Sequence, residues 1–231
     1  MKNLITYFLF LSLGCFAQNI KEDNFYEENT SVNLFAFVGK KISVIEFDPN
    51  TEKVEKVEID SITGEKTIHK SYIMDNGFKC KYLILRKVFN DIKKDTIDFV
   101  AYDHYGSPGF EDYENVLLYV SKSDDGKYYF HQKYQYDPLF EDKKGELFGC
   151  FTFRTDEDFL INSKLESFKI DLGNSIVYDT TTYNEFMLKT YVPKPFYKIK
   201  NNKARPVLGA RIKELFLSKK QTNFKKMFEN K

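Results

Sequence analysis

The sequence predicts an α+β fold, mainly β, in which a small barrel or orthogonal sandwich is followed by a mixed α/β segment ending in a helix. Three observations predict it. Five runs of β-forming residues joined by meander turns fall between Phe35 and Tyr136. Aromatic residues make up 17% of the chain, 23 Phe and 16 Tyr, so the core is built from large rings. Leu208, Ile212, Leu215 and Phe216 recur at helical spacing near the C-terminus and form one apolar stripe.

The first strand opens at Phe35-Ala36-Phe37-Val38-Gly39, continues through Ile42–Phe47 and stops at Asp48-Pro49-Asn50, which has turn chemistry. Gly39 inside an extended run marks a bulge or sharp bend. Residues 54–72 are polar with scattered apolar positions and read as a solvent-exposed hairpin turning at Ser61–Glu65. Lys81–Phe89, a charged turn at Asn90–Asp95, and Thr96–Tyr102 give strand, turn and strand, with Ile97 and Phe99 alternating against Thr96 and Asp98. Val116–Val120 is apolar without interruption, as a central strand is, and Asp125-Gly126 tips the hairpin that follows. Tyr128–Tyr136 completes the five. Its alternation places Tyr128, Phe130, Tyr134 and Tyr136 on one face and His131, Lys133 and Gln135 on a polar face.

Beyond Pro138 the character changes. Glu141–Glu146 reads as a charged linker, and Thr155-Asp156-Glu157-Asp158 as a capping box leading a short helix through Ile161. Ser167–Leu172 and Ser175–Tyr178 suggest a hairpin around Gly173-Asn174, and Thr182 a cap for a helix through Lys189. Phe196–Ile199 is a strand that turns at Asn201-Asn202. The terminal helix should dock by its stripe and leave Arg211, Lys213 and Lys219 in solvent. The chain therefore divides into a signal peptide (1–17), a flexible lead-in (18–33), a barrel domain (34–140) and a C-terminal α+β segment (150–231) packed on the barrel.

The signal peptide rests on three parts. Lys2 supplies a basic head, Leu4–Leu13 an apolar core, and Cys15-Phe16-Ala17 a small-x-small end, with Gln18 as the new N-terminus. The apolar run is too short to span a bilayer, which takes about 20 residues. Ser12-Leu13-Gly14-Cys15 offers a second reading, in which Cys15 carries a lipid anchor. The expected location is periplasmic or secreted, or the outer membrane as a lipoprotein.

The chain has 35 basic and 34 acidic side chains. Cleavage removes Lys2 and no acid, so the remainder is neutral, which argues against a nucleic-acid partner. Beyond the leader there are two cysteines, Cys80 and Cys150. An oxidising compartment allows them to pair, and two buried free thiols are the other reading. No CxxC pair, zinc spacing or cofactor motif is present.

Three stretches carry a resemblance. Phe37–Val44 reads as a Phe-x-Gly opening strand. Tyr82–Asn90 followed by Asp95-Thr96-Ile97 reads as strand, short turn and strand. Phe110 with Val116–Val120 and Asp125-Gly126 reads as a phenylalanine, a Tyr-Leu-Val-type strand and an Asp-Gly turn. In this order they resemble the netrin-like module, the five-stranded OB-type barrel shared with tissue inhibitors of metalloproteinases. The resemblance covers about 100 residues. It implies an OB-like barrel and a binding role. Those inhibitors chelate a protease zinc through an N-terminal Cys and carry several disulfides; a chain starting at Gln18 with two Cys has neither, so protease inhibition does not carry over.

The histidines are His69, His104 and His131. None has HExxH spacing, and no nucleophile elbow or phosphate loop is present. His104 beside Asp103 at a strand end, joined by His131, is the weak catalytic candidate. Two functions compete. One is an exported, non-enzymatic binding module acting on an unknown protein or envelope component. The other is an envelope hydrolase with a site near Asp103, His104 and His131.

Overall fold

The computed structural model describes residues 24–51, 55–70 and 72–229. The signal peptide, the Gln18 start and the Cys15 anchor lie outside the described residues. The strands are β1 (Phe35–Phe47), β2 (Glu55–Ile59), β3 (Lys66–Lys70), β4 (Asn76–Phe89), β5 (Thr96–Asp103), β6 (Asn115–Lys122), β7 (Tyr129–Glu141), β8 (Leu147–Phe148), β9 (Phe168–Lys169), β10 (Tyr178–Asp179), β11 (Tyr197–Lys200), β12 (Lys203–Pro206) and β13 (Leu208–Gly209). The helices are α1 (Asp156–Asn162), α2 (Glu185–Tyr191), α3 (Ile212–Gln221) and α4 (Lys225–Glu229).

The chain is mainly β and its centre is a large, mostly antiparallel sheet. That sheet holds six strands in the order β5-β4-β1-β6-β7-β8, one more than the five expected, because the charged stretch after β7 turns into the short β8. β5 and β7 also pair in parallel through Phe99↔Tyr129 and Val100↔Phe130. β1 pairs with β4 on one side and, through its first half, with β6 on the other. Its register shifts at Val38/Gly39 and again at Lys41/Ser43. A Cβ on Gly39 would lie 2.9 Å from the Phe37 ring and 3.0 Å from the Tyr82 ring, so the bend needs the bare backbone there.

Side-chain alternation sorts the sheet into two cores. Phe37, Cys80, Tyr82, Ile97, Phe99, Val116, Leu118 and Val120 meet Phe110 in an inner core. Ala36, Val38, Val88, Phe89, Leu117 and Tyr119 face the other way, into an outer core completed by Phe151, Phe153, Phe196, Ile212, Leu215, Phe216 and Phe224. Phe216 stacks on Phe89 at 5.2 Å, and Phe224 meets Tyr119 at 5.0 Å. The C-terminal third thus covers a sheet face that would otherwise present apolar side chains to water.

Several expectations need correcting. The segment 24–33, inside the stretch read as a flexible lead-in, is docked. Phe25 packs on Phe216, Glu27 pairs with Lys220, and the Asn90 amide donates to the carbonyls of Asn29, Val32 and Leu34. Leu208 lies in β13 because the terminal helix begins later, at Ile212. The expected hairpin around Gly173-Asn174 does not form: β9 pairs with β13 and β10 with β12. Asn184, and not Thr182, caps α2. The capping box at Thr155 and Asp158 forms as the sequence implies. Among the described residues no helix is long and apolar enough to cross a membrane.

The largest departure is Lys219. It is buried, with its ammonium 3.7 Å from the Asp137 carboxylate and 3.4 Å from the Thr152 hydroxyl. The Tyr119 hydroxyl donates to the same carboxylate at 2.8 Å. Burial raises the Asp137 pKa, while Lys219 and Tyr119 pull it back down. Removing one partner of a buried pair strands the other charge. Asp137→Asn and Lys219→Met should each cost about 3–5 kcal/mol. The double variant should fall short of their sum by about 2 kcal/mol or more in denaturant unfolding; strict additivity would mean the two charges do not interact.

Candidate functional site

The sheet carries an exposed aromatic platform beside the ends of β5 and β4. Asp75, just ahead of β4, joins its parts. One carboxylate oxygen lies 2.6 Å from the Lys133 ammonium and the other 3.2 Å from His104 Nδ1. The bond from Lys133 holds the Asp75 carboxyl below its ordinary range, and the same bond raises the Lys133 pKa. His104 meets Tyr105 edge-on at 5.3 Å. Tyr105 lies tilted 6.2 Å from Tyr134, and Lys133 sits 5.2 Å from the Tyr134 ring centre. Tyr105 is 87% exposed and the nearby Met74 80%.

Two local devices place these rings. The buried Asp103 carboxylate accepts the Tyr105 amide at 2.8 Å and bends the loop outward from β5. On β7 the pairing with β6 is broken. Val120 faces His131 and Leu118 faces Tyr136, so β7 advances five residues while β6 advances two. The excess forms a wide bulge in which Tyr134 adopts φ +63°, a conformation that costs a non-glycine residue on the order of 1–3 kcal/mol. His131 secures the bulge from inside, its Nε2–H donating to the Gln135 carbonyl at 2.9 Å.

The three candidates read from the sequence each have a different partner. His104 is on the surface with Asp75, and Asp103 is engaged by a backbone amide. His131, expected on a polar strand face, is buried in the inner core, 4.6 Å from Phe110 and 6.3 Å from Phe99. The bulge changes the phase of the alternation along β7, so position 131 points inward. No hydrogen bond or ion pair joins any two of the three. Burial lowers the His131 pKa to about 4, which leaves a neutral structural donor at neutral pH.

Cys80 and Cys150 are free thiols. Cys80 belongs to the inner core, whereas Cys150 neighbours Asp137, Tyr178 and Tyr197 on the outer side of the sheet. Strands of the sheet lie between the two thiols, which fits the second of the two readings, two free thiols. Burial pushes both thiols up to about 12, which leaves them unreactive as nucleophiles. Among the described residues no group of three or more His, Cys, Asp or Glu is placed to hold a metal ion.

Asp75, Lys133 and Tyr134 were not singled out from the sequence as site residues. Their grouping depends on a bulge that no Gly or Asn announces, and on a pairing that spans three strands. The chain matches no known protein family, no curated protein and no solved structure.

His131 gives the site a pH signature. The unfolded chain takes up this proton near pH 6.5 and the folded one only near 4. Stability is therefore full above pH 6.5 and falls as the pH drops toward 4, by about 3 kcal/mol for a shift of this size. Denaturation midpoints measured across that window should show the loss, and His131→Phe should flatten it. An unchanged slope in the variant would mean that His131 is not the group responsible.

Proposed function

We propose that this chain is an exported, non-enzymatic binding module of the bacterial envelope, built on an OB-type barrel of the netrin-like kind, which reads its target through the Tyr105–Tyr134 platform. Support for the barrel comes from the strand pairing. β1 pairs with β4 and β6, β4 with β5, β6 with β7, and β5 with β7, a circuit of five strands as an OB-type barrel has. Gly39 and the register shifts of β1 supply the bends such a circuit requires. Support for export comes from the leader-like start of the sequence.

The observation that carries the binding role is Tyr134. A left-handed tyrosine in a strand bulge is an expense the fold has no need of, since glycine would adopt that conformation without strain. What the tyrosine adds is a ring beside the exposed Tyr105, with the Asp75–Lys133 pair at its rim. Flat rings bordered by fixed polar groups suit a ligand with an apolar face and hydroxyl or amide edges.

Stability and binding should therefore separate at this position. Tyr134→Gly should melt no lower than the parent, and up to a few degrees higher through released strain of about 1 kcal/mol. It should lose binding, as should Tyr105→Ala, when both are screened against envelope glycans and proteins that the parent retains. Two variants that bind as the parent does would remove the platform reading. Turnover of any substrate by the parent, lost in His104→Ala, would replace the module with an enzyme.

Export has its own test. The chain recovered from an envelope fraction should begin at Gln18 on N-terminal sequencing, or at a lipidated Cys15. An intact Met1 on protein confined to the cytoplasm would refute it.

A further inference from the structure

A recess lies in the C-terminal third and shares no residue with the Tyr105–Tyr134 platform. It arises from the β11–β12 hairpin. Asn201 and Asn202 both have positive φ, at 52° and 54°, and close a two-residue turn. The register this sets is Lys198↔Arg205 and Lys200↔Lys203. Directly opposed residues share a face, as do residues two apart along a strand. All four cations therefore project from one face of the hairpin, while Tyr197, Ala204 and Pro206 on the other are buried.

Like charges directly opposite one another destabilise a hairpin. Only part of this charge is answered. Lys203 is opposed by Asp179, and Arg205 donates to the Asn174 side chain at 3.0 Å. The Lys198 and Lys200 side chains have no hydrogen bond or ion pair among the described residues. They line a cavity of about 370 Å³ together with Arg205. Most of its remaining wall is apolar, from Leu172, Ile176 and Val207 among others. The single carboxylate of the lining, Asp171, accepts the Gly173 amide at 2.9 Å and so shapes the loop.

We infer that this cavity binds a small anionic ligand, a phosphate or carboxylate carried on a short aliphatic stem, with Lys198, Lys200 and Arg205 holding the anion and the aliphatic wall taking the stem. Arg205 keeps the rest of its guanidinium fork for the ligand, since Asn174 engages a single nitrogen. The two lysines add charge without fixed geometry. The volume lies within the range of small-molecule sites and is too small for a folded partner.

The test is calorimetric titration of the purified protein with n-octyl phosphate below its micelle concentration. Inorganic phosphate, octyl glucoside and phosphatidylglycerol vesicles serve as further arms. Saturable binding of octyl phosphate at one site, with inorganic phosphate and octyl glucoside each at least about tenfold weaker, is expected, because each lacks half of the recognition. Lys198→Gln/Lys200→Gln should weaken octyl phosphate by about tenfold or more while melting at or above the parent temperature, since it relieves repulsion. Four results would overturn the inference: no saturable binding, equal binding of inorganic phosphate, equal binding by the double variant, or binding to vesicles with none to monomeric octyl phosphate. Tyr105→Ala should leave the titration unchanged, so failure here and failure of the platform are read independently.

Discussion

Val116, Leu118 and Val120 point to one side of β6 while Leu117 and Tyr119 point to the other, and all five are fully buried, so this strand needs an apolar neighbour on both of its faces. Most of the architecture answers that requirement. The inner side is met by the strands of the large sheet and by Phe110. The outer side is met by residues drawn from Phe151 to Phe224, few of which lie in regular strands of any length. The short elements β9 to β13 and α1 to α4 could bury little apolar surface by themselves, and domains need roughly such a shared core to be stable. They are ordered because the outer face of β6, β1 and the end of β4 supplies one.

Charge is placed within this frame in two ways. Where the outer layer meets the sheet, Asp137, Tyr119, Lys219 and Thr152 form a buried polar knot that fixes how α3 sits on the strands. Apolar contacts alone tolerate sliding, whereas a carboxylate and an ammonium out of water tolerate only one alignment. A second tie, partly exposed, joins Arg211 to Asp142 and Glu146, with the guanidinium 4.5 Å over the Phe168 ring. Elsewhere the charges border exposed rings or an aliphatic recess, and there they are available to solutes.

What the sequence showed follows from how local each signal is. The Thr155 capping box, the unbroken apolar run of β6, the bend at Gly39 and the Asn201-Asn202 turn are settled by a few adjacent residues, and each was legible. Alternation in β7 was legible only beyond the bulge, where Tyr136 packs on the inner core. Past His131 the phase changes, and with it the side of the sheet each residue faces, which is why His131 looked solvent-facing and proved to be a core donor. Lys219 looked like part of a basic tail because its partner, Asp137, lies on a distant strand. The candidate site was legible in part for the same reason. His104 and the adjacent Tyr105 stand out in one loop, but Asp75 and Tyr134 reach them only through the pairing of β4, β5 and β7.

The docking of residues 24–33 also sets an order of events in time. Phe25 rests on Phe216, Glu27 meets Lys220, and Glu27 bridges to Phe89, so residues 25–27 and α3 are parts of one contact set. A chain emerging from its N-terminus can close the inner core early, but the outer layer has no lid until α3 has emerged. Contacts of such long sequence separation slow folding, because the loop must close before they contribute. Until then Phe89, Leu117 and Tyr119 stay open to water and to other chains, and this is the interval in which a nascent copy is most vulnerable to aggregation.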